Sequence, residues 1–137
     1  MRQTTEQKRA KAAWTAIEEA SSKGFFLQYV SLVKGAPVHI RTSGFGQTMA
    51  FYRSRKLATH PEYGMLLRHL AAWLPVAPGT PQDPGKGLMG AVRTADTAKY
   101  RSLMAEAIAY LVWLKRFAAG HPKAQSESMP VPASPDA

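Results

Sequence analysis

Apolar residues in this chain recur every three or four positions from one end to the other, and strand-like alternation never lasts more than a few residues. That property restricts the fold to packed helices. Ala10, Ala13, Trp14, Ile17 and Ala20 form one stripe of a first helix. Thr4 with Gln7 three residues on reads as a capping box at its start, and Gly24 as its stop. Phe25, Phe26, Tyr29, Leu32 and Val33 mark a second helix over residues 25–34, closed by Gly35. Pro37 suits the first turn of a short third helix ending at Thr42, which Ser43 and Gly44 interrupt. A fourth helix runs from Phe45 to about Leu57.

Thr59 and Glu62 form a second possible capping box, with Pro61 in the first turn. Tyr63, Leu66, Leu67, Leu70, Trp73 and Leu74 then line the inner face of a helix that ends before Pro75. From Pro75 to Gly90 the chain holds four Pro and four Gly in 16 residues, which predicts a loop with room for one helical turn before Asp96. Asp96 caps the last helix, Thr97 to Ala119, and Gly120 and Pro122 stop it. The expected architecture is an all-α, single-domain bundle of five to six helices over residues 1–120, with a Pro/Gly-rich loop and a flexible C-terminal tail over 121–137.

A chain of 137 residues, 45% of them hydrophobic, can bury one core. It contains no Cys, which excludes a disulfide framework, a thiolate nucleophile and cysteine metal sites, and suits a reducing compartment. The N-terminal MRQTTEQKRAK has none of the apolar character of a signal peptide, and no apolar run is long enough to span a bilayer. The expected setting is cytoplasmic and away from membranes. Between Leu103 and Leu114 the only charge is Glu106. Met104, Ile108 and Leu111 form one apolar stripe there, and Tyr110, Trp113 and Phe117 another, on the side of Glu106. Such a helix is either central in its bundle or covered by a second subunit, and the aromatic stripe is the candidate subunit interface.

Catalytic chemistry finds little footing in the sequence. None of the four His, at 39, 60, 69 and 121, has a metal-ligand spacing, and each reads as a surface or capping residue. Gly44-Phe45-Gly46 lacks the strand and third glycine of a dinucleotide fingerprint and reads as a tight turn between helices. GTPQDPGKG has the wrong spacing for a phosphate loop, and Gly87 stands where Ser or Thr would bind magnesium. Glu18 and Glu19 point to different parts of a helix surface, and the acids are too scattered for a two-metal site. The sequence predicts a protein that is not an enzyme, with no cofactor, metal or small-molecule substrate.

What remains is positive charge: 18 Lys and Arg against 9 Asp and Glu, a net +9. Lys8, Arg9 and Lys11 cluster on the first helix, and Arg53, Arg55 and Lys56 near the end of the fourth. Arg41 precedes the glycine turn, and Lys115 with Arg116 lies toward the end of the last helix. These nine residues are the candidate polyanion contacts, because an excess of cations near aromatics suits such a partner. Composition alone does not choose between nucleic acid, a membrane surface and an acidic protein; a family resemblance, carried by the motifs that follow, is what makes the expected partner RNA. No base-reading motif accompanies them, so sequence-specific readout is not expected. A free-standing nucleic-acid-binding or regulatory helical protein would satisfy the same observations.

Four ordered segments carry a resemblance: Thr4 to Ala10 with Ala13 and Trp14; Tyr29 to Lys34 with Pro37 and Ile40; Gly44 to Phe51; and Tyr100-Arg101 with Glu106-Ala107 and Leu111 to Ala118. Together they resemble the small subunit of the type III-B CRISPR effector, the Cmr RNA-targeting complex. At position 45 that family more often carries an aliphatic residue than Phe. The Pro75–Gly90 loop and the tail match no family motif. The resemblance implies a non-catalytic helical bundle acting in antiviral defence. It would stack with other copies of itself in a filament beside the backbone and large subunits. There it would help to hold the duplex of CRISPR RNA and target RNA, while the catalytic steps belong to other subunits.

Overall fold

A computed structural model describes residues 2–127 of the chain. They form α1 (Thr5–Ser21), α2 (Phe26–Ser43), α3 (Phe45–Ser54), α4 (Pro61–Trp73), α5 (Lys86–Thr94), α6 (Thr97–Gly120) and α7 (Pro122–Glu127), with no strand among the described residues. The predicted all-α bundle stands, with more helices than expected. At the start of α1 the capping box forms: Thr4 Oγ1 accepts from the Gln7 N–H at 3.1 Å, and Gln7 Oε1 accepts from the Thr4 N–H at 2.8 Å. Asp96 caps α6 by accepting from the Lys99 N–H at 2.8 Å.

The long helix α6 is central, packed on α1, α2, α4 and α7. Its buried face is Leu103, Ala107, Leu111, Leu114 and Ala118, with Tyr110 beside them. Met104 and Ile108 flank that face on one side, Trp113 and Phe117 on the other, each partly buried against the core. The two stripes read from the sequence are thus mostly the shoulders of a third. Tyr110, predicted at a subunit boundary, is only 2% exposed and stacks on Trp73 with ring centroids 5.9 Å apart. It belongs to this chain's own core.

Five local expectations are corrected. The break at Gly35 and Pro37 does not occur, and α2 runs through both. Tyr29, Val30, Val33, Ala36, Pro37 and Ile40 are buried along one continuous helical face, and that burial outweighs the missing N–H of Pro37 and the cost of Gly35. The helix stops instead at Gly44, whose φ of +89° suits glycine alone, and α3 begins at the next residue.

The second capping box is absent: α4 starts after His60 with no side-chain cap, and Glu62 is buried with a carboxylate oxygen 3.8 Å from His60. The Pro/Gly-rich stretch contains the nine-residue helix α5 rather than a single turn. A Cβ at Gly87 would lie 1.6 Å from the Ala77 carbonyl oxygen, so this glycine serves a close backbone approach and not a turn. The tail expected from residue 121 begins with α7, whose Ala124 is 6% exposed and whose Lys123 Nζ donates to the Ser21 carbonyl at 2.6 Å. The rest of the predicted tail, residues 128–137, lies outside the described residues.

Candidate nucleic-acid interface

Helices α1 and α4 pack side by side and leave an open groove of about 550 Å³ between them. Lys8 and Lys11 stand one turn apart on its α1 bank, and Arg68, His69 and Trp73 line the α4 bank. Both lysines are exposed and enter no ion pair among the described residues. This groove joins cationic donors to an indole, the combination that a sequence-tolerant nucleic-acid surface uses.

Two carboxylates fix its walls. Glu106 accepts from Arg9 Nε and Nη2 at 2.5 and 2.8 Å and from Trp73 Nε1 at 2.9 Å, tying α1, α4 and α6 together. Hydrogen bonding from Arg9 lowers the Glu106 pKa, with burial opposing and Trp73 adding. Glu19 accepts from Arg68 Nη2 at 2.5 Å and bonds His69 Nε2 at 2.8 Å, while His69 Nδ1 lies 2.7 Å from the Tyr29 hydroxyl. An ionised carboxylate only accepts, so Nε2–H donates to Glu19 and Nδ1 accepts from Tyr29. Burial lowers the His69 pKa against the pull of Glu19, which keeps the ring neutral as this geometry requires. Burial also raises Glu19, but the bonds from His69 and Arg68 and their charges outweigh it and its pKa falls.

The Glu19–His69–Tyr29 chain has the order of a nucleophile-activating relay. Its hydroxyl ends in the core, on a residue 0% exposed whose pKa burial drives well above the tyrosine range, so no substrate reaches it. It is a structural bond between α1, α2 and α4. Among the described residues no three acidic or His side chains converge as a metal site, and no helix is long and apolar enough to cross a membrane.

The nine predicted RNA contacts thus divide. Lys8 and Lys11 face the groove; Arg9, between them in sequence, is turned inward to Glu106. Arg53 is held by Asp83 through two bonds of 2.9 and 2.7 Å, which raise its pKa and lower that of Asp83. The Arg55 guanidinium lies 5.8 Å from the Phe51 ring centroid and 5.5 Å from that of Tyr63, and Nη2 meets His60 Nε2 at 2.9 Å. Lys56, Arg41, Lys115 and Arg116 are exposed. The helix expected to reach about Leu57 ends at Ser54, so of the second cluster only Arg53 lies in α3 and Arg55 and Lys56 follow it; α1 packs on α6, α4 and α2, and α3 on α2, α4 and α5. Of the aromatic stripe, Phe117 meets Trp14 edge-on at 5.2 Å and Trp113 at 5.3 Å, and Trp14 is 53% exposed rather than buried on the first helix's inner stripe.

Sequence reasoning missed Glu19, His69 and Trp73 as parts of one site. The spacing Leu66–His69–Trp73 placed His69 on the inner face of α4, and that signal could have moved it from the surface.

The fold and its charges define a small, basic, all-helical bundle. Residues 5–121 match the family described as CRISPR-associated protein (Cas_Cmr5). The X-ray crystal structure of a CRISPR-associated Cmr5 family protein from Thermus thermophilus matches with a TM-score of 0.72 and 30% identity, covering 85% of this chain and 96% of that one. The chain belongs to the Cmr5 family and is a small subunit of the type III-B Cmr effector. That membership implies association with the other Cmr subunits and with CRISPR RNA.

Proposed function

We propose that this small subunit is non-catalytic and positions RNA, holding the duplex of CRISPR RNA and target RNA along the α1/α4 groove. The observation that carries the reading is the pair Lys8 and Lys11, exposed and without an acidic partner among the described residues, at the groove where Trp73 is pinned by Glu106. Phosphate contacts of this kind position a strand without reading it, which suits a complex that accepts any guide. Lys56, Arg41, Lys115 and Arg116 add longer-range attraction. Arg9, Arg53 and Arg55 are instead engaged with side chains of this same chain.

Assembly with further copies and with the backbone and large subunits uses the exposed edge of Trp14, Trp113 and Phe117. Of the three, Trp14 is half exposed and Trp113 and Phe117 are partly buried beside it, and large aromatics are among the residues on which interfaces concentrate their energy. The test is crosslinking of bound RNA to the reconstituted complex, with the modified peptides mapped by mass spectrometry. Adducts on α1 and α4 of this subunit are expected. RNA adducts confined to other subunits, or to the α6 face of this one, refute the assignment.

A further inference from the structure

On the other flank of α4 lies a second groove, of about 620 Å³, which meets the first only at Arg68 and Ala72. Its floor is apolar, from Phe25, Leu57 and Met65, and one wall is the Pro/Gly-rich segment, through Pro78, Pro81 and Pro84. That wall is built, not slack. Thr80 and Asp83 exchange backbone bonds at 3.0 and 3.1 Å, and Arg53 clamps the Asp83 carboxylate from α3. A Cβ at Gly79 would meet the Pro84 carbonyl oxygen at 2.3 Å, and one at Gly64 would meet Leu57 at 2.4 Å, so small residues hold the wall close and the trough deep.

Among the described residues, the only charged ones lining this groove are Lys23 and Arg68. Lys23 makes no ion pair among the described residues, and Arg68 commits only Nη2, to Glu19. A preformed apolar trough whose rim carries the unpaired Lys23 and the remaining donors of Arg68 complements an apolar side chain flanked by carboxylates. RNA is a poor occupant, because base edges set against proline and methionine would lose water without gaining partners.

We propose that this groove receives an acidic segment of another protein subunit of the complex, with an aliphatic or aromatic anchor on Phe25 and Met65 and carboxylates facing Lys23 and Arg68. The Pro/Gly-rich stretch, to which the sequence pattern alone gives no role, then has a purpose as the rigid wall of a docking site.

The experiment places a benzophenone photocrosslinker at Leu57, which is 37% exposed, in the complex reconstituted from its subunits and guide RNA. Mass spectrometry maps the adduct. The expected adduct is on another protein subunit, at a segment rich in Asp or Glu with an apolar anchor. Its yield should fall at least tenfold with Lys23→Glu and stay unchanged with Lys34→Glu, an exposed cation on α2 outside the groove. An adduct on RNA, on a second copy of this chain or on a segment without acids overturns the proposal, as does the absence of an adduct or indifference to Lys23→Glu. RNA crosslinks to α1 and α4 are read separately, so this site and the RNA groove can fail independently.

Discussion

Replacing Arg9 with Ala should destabilise the isolated subunit, while the same change at its neighbour Lys8 should not. Arg9 retains 16% of its side-chain surface and its partner Glu106 27%, so the pair is partly shielded from solvent. A hydrogen bond to a charged group contributes about 1.5–3 kcal/mol when well shielded. Two such bonds, discounted for screening of a pair still open to water, give about 2 kcal/mol for Arg9→Ala. A domain of this size loses roughly 3–5 °C of Tm per kcal/mol, so the fall should be about 6–10 °C. Arg9→Lys should recover part of it, because lysine keeps the charge but cannot present the planar fork. Lys8→Ala removes an exposed charge and should stay within about 0.5 kcal/mol of wild type. Thermal unfolding followed by circular dichroism at the helix band measures all three. An Arg9→Ala protein melting within a degree of wild type, or a Lys8→Ala protein melting as low as Arg9→Ala, would refute the division between structural and RNA-facing cations.

Tyr110→Ala should cost about 3–5 kcal/mol in urea unfolding, as for a fully buried ring, whereas Trp113→Ala, partly exposed, should cost about half as much and impair assembly instead; equal losses for the two would contradict their placement. Stability should decline in two stages on acidification. The pKa of His69 is below its ordinary 6.5 in the fold, so the unfolded chain binds the proton first and the contribution, complete above that value, is lost as pH falls. Glu19 and Glu106, both held below 4.5, contribute above that value and lose it as pH drops through it. Identical denaturation midpoints at pH 8 and pH 5.5 would sink the first stage, and His69→Gln should flatten it. Truncation before Pro122 should lower Tm by about 3–5 °C, because it strips Ala124 and the Lys123 bond from the bundle and so removes about 1 kcal/mol; an unchanged Tm would show that α7 adds nothing.

The features legible in the sequence are those whose cause is local. Thr4 with Gln7, Asp96 before α6 and Pro75 after α4 each act within one turn of helix, and each sits where the spacing put it. Gly35 and Pro37 misled because they too are local signals, while the face that overrides them is buried only once α2 is packed in the bundle. Gly87 was read as loop punctuation because nothing nearby in sequence reveals that the Ala77 carbonyl passes against it. The polar site was the least legible part. Arg9 finds Glu106 across 97 positions, and His69 finds Glu19 across 50, so the sequence offered the charges but not their partners. It could therefore not separate the exposed cations Lys8 and Lys11 from the committed Arg9 and Arg53.

The most direct test of that separation is the salt dependence of target-RNA retention by the complete complex. Each phosphate contact adds about 0.7–0.9 to the slope of log K against log salt. Complexes carrying Lys8→Ala with Lys11→Ala should bind target RNA more weakly, with a slope shallower by about 1.4–1.8 and no change in sequence preference. A slope and affinity identical to wild type, in a complex that still contains the folded subunit, would contradict the claim that the α1/α4 groove holds the RNA.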